Sequence, residues 1–154
     1  MKTPTIVSAV ALGLGLFVFD HSNAAAQTLA PPLFAVLSGG NEVSAAGVAN
    51  VGDPDGRGSA TAIVVGNQLC WAITVTALGA AAPTFAHIHR GTAGTNGAVV
   101  VNLVPPAAGN PGTSSGCVAV AAALLNEIRT NSTGFYVNVH TAAFPGGAIR
   151  GQLF

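Results

Sequence analysis

Charged side chains are scarce in this sequence. Only 6% of the 154 residues are charged, the formal net charge is zero, and the single lysine is Lys2. A protein that binds nucleic acid or acidic membranes by electrostatics needs a basic surface. The composition therefore excludes nucleic acid as a partner, while a hydrophobic content of 50% predicts a folded domain rather than a disordered chain.

Sequence signatures of catalysis are also missing. The chain contains no Gly-x-Ser-x-Gly elbow, no P-loop and no dinucleotide-binding fingerprint. Its two cysteines do not form a Cys-x-x-Cys pair, and only five carboxylates are available for acid–base chemistry. These absences point away from an enzyme.

The first 26 residues have the pattern of a secretory signal peptide. Lys2 precedes the uncharged run Thr5–Phe19, and Ala24–Ala26 supplies a cleavage site of small residues. The alternative is an uncleaved anchor, but the run is shorter than the roughly 20 residues of a membrane span. We therefore predict a signal peptide over 1–26, a short lead over 27–32 and one domain over 33–154. The mature protein would be secreted or periplasmic and would have no membrane span.

Short apolar runs alternate with turn residues through the rest of the chain, which predicts an all-β fold, an antiparallel β-sandwich. The predicted strands are Leu33–Leu37, Gly58–Val65, Leu69–Thr76, Thr84–His89, Ala98–Leu103, Gly134–Thr141 and Ala148–Phe154. Gly66-Asn67 predicts a tight hairpin, and Pro105–Gly116 a connector. Val118–Arg129 is rich in Ala and Leu and predicts one short crossover helix.

Cys70 and Cys117 are the two cysteines of the chain. In an exported protein an even number of cysteines favours a disulfide. Two buried free thiols, or a cysteine that binds a metal, are the alternatives.

Three histidines follow the predicted signal peptide, and all lie near strand ends. His87 and His89 are two apart on one strand, so they project from the same face. His140 ends another strand, and if the two strands are neighbours the three imidazoles meet in one site with an open fourth position. Imidazole suits copper and zinc, so the pattern predicts one Cu or Zn ion. The alternative is a set of surface or hydrogen-bonded histidines without a metal.

Three other polar residues lie within or beside apolar strands: Glu42, Asn138 and Arg150. For Glu42 and Arg150 the favoured interpretation is an internal ion pair that fastens the first strand to the last. In the alternative they lie beside the histidines and orient them. Asn138 shares a strand face with His140.

Several stretches of the chain resemble the CHRD (chordin-type) domain. Residues 37–43 (LSGGNEV) are similar to the opening LSGxNEVP of the family, and residues 86–101 to its AHIHxGxxGxxGPVV. Residues 136–153 are similar to its closing YVNVHTxxxPxGEIRGQL. The chain departs from these patterns at Ser44 and Ala98, where proline is usual, and at Ala148, where the usual glutamate is absent. All three histidine positions match.

The resemblance implies an extracellular β-sandwich module with no settled enzymatic activity. Three functions are compatible with it and with the residues. The first is an exported binding or structural module for an unknown extracellular protein or small ligand. The second is a copper- or zinc-binding protein, and the third, the least favoured, is a metal-dependent redox enzyme.

Overall fold

The computed structural model describes residues 30–154, so the predicted signal peptide lies outside the described residues. The described part contains eight strands and one α-helix: β1 (Leu33–Ser38), β2 (Arg57–Val65), β3 (Gln68–Thr76), β4 (Phe85–Arg90), β5 (Val99–Leu103), β6 (Gly112–Ala119), α1 (Ala122–Thr130), β7 (Phe135–His140) and β8 (Ile149–Gln152). The predicted all-β antiparallel class with one short helix is confirmed. No helix between residues 30 and 154 is both long enough and apolar enough to cross a membrane.

All eight strands belong to one hydrogen-bonded antiparallel sheet, in the order β5-β4-β7-β8-β1-β2-β3-β6. Two four-stranded halves meet at β8 and β1, where Ser38 pairs with Arg150. Gly151 lies at this seam, and a Cβ there would overlap the carbonyl of Val36. The edge strands β5 and β6 line one groove of about 380 Å³ together with residues of α1, so the sheet curls into a nearly closed barrel.

The apolar core fills the inside of this curled sheet. In β3, Leu69, Trp71, Ile73 and Val75 are buried and alternate with more exposed residues, as their sequence pattern predicts. The Gly66-Asn67 turn joins β2 to β3, and Gly66 adopts a φ of 59°, which glycine tolerates without strain.

Strand β6 was not expected from the sequence. The predicted connector ends at Gly116 and the predicted helix begins at Val118, but a strand runs through both as the antiparallel neighbour of β3. Its glycines, serines and threonine lack the apolar alternation that identifies a half-buried strand. Small residues are required there, because a Cβ at Gly116 would lie 2.9 Å from the indole ring of Trp71. The helix consequently starts later, at Ala122.

Strand β7 is unusual because all six of its residues are buried. Phe135, Val137 and Val139 face the core, so a second layer must cover the opposite side of the strand. The loops around residues 39–51 and 91–97 supply it: Asn96 donates hydrogen bonds of 2.9 and 2.8 Å to the carbonyls of Val43 and Ser44. Polar side chains on the outer face of β7 are thereby enclosed.

A disulfide joins Cys70 to Cys117, as predicted. The two residues are directly opposite one another on β3 and β6, with 3.9 Å between their Cα atoms. The bond therefore fastens the edge strand β6, which has few large apolar side chains, to the centre of its half of the sheet.

We expect the double variant Cys70→Ala/Cys117→Ala to lose about 4 kcal/mol of unfolding free energy, because the chain-entropy model assigns that value to a cross-link of this span. The sequence separation is 47 residues. Urea denaturation of the oxidised native protein and the double variant measures the difference. Equal midpoints and slopes would show that β6 needs no covalent attachment.

Candidate metal centre

The histidines lie on the outer face of the sheet, where β4 and β7 run side by side. The antiparallel register places Phe85 opposite His140, His87 opposite Asn138, and His89 opposite Tyr136. All of these side chains point away from the core, because Ala86 and Ile88 occupy the inward positions of β4. The register shifts between Ile88 and His89 against β5, an irregularity of the kind that redirects side chains beside functional sites.

The three imidazoles converge. Nδ1 of His87 lies 3.3 Å from Nε2 of His140, and one nitrogen from each of the three rings lies within 4.8 Å of the others. Two nitrogens bound tetrahedrally to one Zn²⁺ at about 2.0–2.1 Å are themselves about 3.3 Å apart. The first pair, which lies at hydrogen-bond distance, thus already has the spacing of two ligands. The third nitrogen would have to move by at most about 1.5 Å to join them.

Backbone carbonyls determine the tautomers of two rings. Nδ1 of His89 lies 2.9 Å from the carbonyl oxygen of Gly97, and Nδ1 of His140 lies 3.0 Å from that of Pro145. Since a carbonyl oxygen only accepts, each Nδ1 carries the hydrogen and each Nε2 presents a lone pair. Nε2 of His89 is buried and has no hydrogen-bond partner among the described residues. The lone pair of this nitrogen is therefore held in a fixed direction without a hydrogen-bond partner.

The surroundings keep the rings neutral. Burial, followed by the neighbouring His140 and His89, lowers the pKa of His87 to about 4. Burial also lowers the pKa of His89 and of His140, although the hydrogen bonds to Gly97 and Pro145 oppose the change. Neutral imidazole is the form that binds a metal, so the site is ready for a cation near neutral pH.

Aromatic rings surround the cluster. The ring of Tyr136 stacks on His89 with 4.8 Å between centroids and 7° between planes. Phe85 stacks on His87 at 5.9 Å and meets His140 edge-on at 6.5 Å, and its side chain is exposed. The imidazoles are thus held on one side by a buried ring and covered on the other by an exposed one.

Arg150 supports this arrangement from behind. Its guanidinium lies 4.6 Å from the centre of the Tyr136 ring. Arg150 is on β8 and His89 is on β4, the two strands that flank β7. The hydroxyl of Tyr136 accepts a hydrogen bond of 3.2 Å from the amide of Gly97, whose carbonyl in turn accepts from His89. These contacts fix the plane and the direction of the His89 ring.

Glu42 and Arg150 do not form the expected ion pair. Within residues 30–154 the only ion pair closer than 4.0 Å joins Arg90 to Glu127 at 2.6 Å. Glu42 instead accepts a hydrogen bond of 3.2 Å from the amide of Asn138, whose backbone pairs with that of Arg150. Glu42 thus belongs to the buried polar layer beside the histidines, together with Asn138.

The sequence of this chain matches the family model of the CHRD domain over residues 33–153. The chain belongs to the CHRD family. None of the curated proteins and none of the solved structures matches it significantly. In this CHRD domain the predicted histidines His87, His89 and His140 come together, and Asn138 and Arg150 lie on the same outer face.

Some contributors to the site of this CHRD domain were not recognised in the sequence. Tyr136 alternates with Asn138 and His140, so its position on their face was visible, but its stacking on His89 was not. Gly97 and Pro145 contribute backbone carbonyls, and a role of the backbone cannot be recognised from the residue type. Gly97 does carry one signal, since a Cβ there would overlap the carbonyl of Arg90.

The titration of Glu42 tests whether the loops that cover β7 exclude water. Burial raises its pKa from 4.5 to about 7, against the opposing influence of Arg150 and Asn138. The folded protein then retains a proton that the unfolded chain has lost, so the contribution of Glu42 to the unfolding free energy falls as pH rises from 4.5 to about 7. The loss amounts to about 3 kcal/mol above that window.

Glu42→Gln keeps the shape but cannot ionise. We expect the variant to gain stability relative to the native protein as pH rises through this window, when both are unfolded with urea in the presence of a chelator. The difference between the two proteins isolates Glu42 from the histidines, which are common to both. A difference that is constant with pH would contradict the buried environment of this carboxylate.

Proposed function

We propose that this CHRD domain is an exported binding module whose ligand is one copper or zinc ion, held by His87, His89 and His140. The observation that carries the proposal is the buried, unpartnered Nε2 of His89, on a ring that has a nitrogen within 4.8 Å of nitrogens of His87 and His140. Five buried side-chain atoms of residues 30–154 lack a partner, and Nε2 of His89 is the one that belongs to a group of three possible metal ligands. A metal ion is the partner that fits three neutral imidazoles.

A purely structural role for the histidines is less well supported. Histidines that only organise a fold have both ring nitrogens hydrogen-bonded or exposed to solvent, whereas His89 uses one nitrogen and leaves the other empty. The hydrogen bonds from His89 and His140 to backbone carbonyls are those that orient metal-ligating histidines. They would hold the rings with their lone pairs directed at the ion.

Three nitrogen ligands leave a fourth position for water or for a small ligand. A bound ion would supply Lewis acidity at that position. The chain's own residues would bind and orient the ion: Tyr136 and Gly97 keep His89 in place, and Phe85 limits access from solvent. None of the residues described around the cluster is a carboxylate or lysine in contact with the imidazoles, and the proposal is therefore binding rather than catalysis.

Export is the other half of the proposed function. The Cys70–Cys117 disulfide is compatible with an oxidising compartment outside the cytoplasm. Together with the signal-peptide pattern of residues 1–26, it supports a secreted or periplasmic protein.

Metal binding is tested on the purified domain after treatment with a chelator. We expect it to bind one Cu²⁺ or Zn²⁺ per chain in calorimetry and to unfold at a higher temperature with the ion, because the ion binds only the folded state. His89→Ala should weaken binding more than the roughly 10- to 100-fold typical of losing a hydrogen bond to a ligand.

The matched control is Asn126→Ala, on the exposed surface of α1 away from the histidines, which should bind as the native protein does. If neither ion binds or raises the unfolding temperature, the metal proposal is wrong. Binding that survives the combined loss of His87 and His89 would place the ion elsewhere.

The export proposal predicts cleavage after Ala26. Mass spectrometry of the protein recovered from the periplasm or medium of an expressing bacterium should then show a chain that begins at Gln27. A full-length chain retained in the membrane fraction would instead identify residues 1–26 as an anchor.

A further inference from the structure

Arg150 is buried more completely than a cation normally is, since only 3% of its surface is exposed. Its guanidinium has five N–H groups. Nε donates to the carbonyl of Asn41 at 2.6 Å, and Nη1 donates to the carbonyl of Thr95 at 3.1 Å and to Oδ1 of Asn96 at 3.0 Å. These bonds use three N–H groups, and the two on Nη2 have no acceptor among the described residues. Nη2 is not one of the fully buried atoms without a partner, so it is accessible from outside.

The positive charge of Arg150 also lacks a counter-charge in direct contact. No carboxylate of residues 30–154 lies within 4.0 Å of it. Glu42 acts on it only from a distance, and the acceptors that contact the guanidinium are neutral oxygens. Buried charges in proteins are ordinarily paired, so a guanidinium that contacts only neutral oxygens and the Tyr136 ring is a favourable position for an anion.

A pocket lies beside Arg150. Arg150 lines a cavity of about 290 Å³ between the 39–51 loop, the 91–97 loop and β8. Its walls include the apolar side chains of Val43, Ala49 and Ala93, and glycines bring the backbone close at Gly40 and Gly94. The cavity is thus small, partly apolar and supplied with one cation.

We infer that this pocket is a binding site for a small carboxylate, distinct from the three-histidine centre. The carboxylate oxygens would accept from the two free N–H groups on Nη2 of Arg150, and a short apolar body would lie against Val43, Ala49 and Ala93. A single cation balances a monoanion, whereas a phosphate dianion would remain undercompensated. The carboxylate belongs either to a free organic acid or to the C-terminus of a peptide, since both present the same group.

Titration with acetate and propionate tests the inference in the full mature protein. The four arginines that follow residue 26 give four side-chain Nε–Hε signals in a ¹⁵N NMR spectrum. We expect acetate to shift the signal of Arg150 saturably in the millimolar range, with sodium chloride at the same ionic strength as the reference. A short peptide with a free C-terminus that binds at least about tenfold more tightly than acetate, while its C-terminal amide does not bind, would identify the peptide as the source.

A variant that leaves Arg150 intact keeps the test independent of folding. Ala93→Phe fills the pocket from an exposed loop position and should weaken acetate binding at least about tenfold, whereas Ala80→Phe, on an exposed loop that does not line the pocket, should not. An equal effect of chloride, the absence of a saturable shift, or unchanged binding by Ala93→Phe would each overturn the inference. Arg150 would then serve only to hold the loops. The titration contains no metal, so its outcome does not depend on the histidine site.

Discussion

The antiparallel pairing of β4 with β7 is the interaction on which the site depends. Side chains alternate between the two faces of a strand, so this one register places Ile88 and Val137 in the core and His87, His89 and His140 outside it. A shift by one residue would bury the histidines among the core residues and expose Ile88. The apolar packing that stabilises the fold therefore also fixes the convergence of the three imidazoles.

The outer face of β7 needs a second constraint, because a sheet face left open to water would hydrate the histidines. The two covering loops provide it, and Arg150 ties both of them to the sheet, because it donates to one carbonyl in each. Gly97 then links the second loop to both His89 and Tyr136. The same enclosure that desolvates the imidazoles and lowers their pKa also raises that of Glu42.

What the sequence could predict follows the strength of the local pattern. The alternation in β3 and β7 identified the core face, and the two-residue spacing of His87 and His89 placed them on one face. The adjacency of His140 depended on two strands separated by the whole of β5, β6 and α1, which periodicity does not reveal. Strand β6 was not predicted because its small residues leave room for the Trp71 ring and lie at the edge of the sheet. Neither role produces apolar alternation in the sequence.

The partners of the buried charged residues could not be predicted from the sequence either. With so few acids and arginines, an ion pair between Glu42 and Arg150 was the simplest solution for two buried ions, yet Glu42 hydrogen-bonds to Asn138 instead. Neither group therefore has an oppositely charged partner in contact. The pKa of Glu42 is raised, and Arg150 stacks on Tyr136 and leaves two N–H groups without an acceptor among the described residues.

The ring of Tyr136 consequently contacts two groups that have unused hydrogen-bonding atoms. They are the guanidinium of Arg150 and the imidazole of His89. Neither can turn without losing its contact with the ring, whose hydroxyl is itself hydrogen-bonded to Gly97. Because the ring is buried and held at both its face and its hydroxyl, it fixes two incompletely bonded groups at once. Apolar residues at these positions would give a more stable sheet, and the proposed binding of a metal ion and a carboxylate would account for the polar ones.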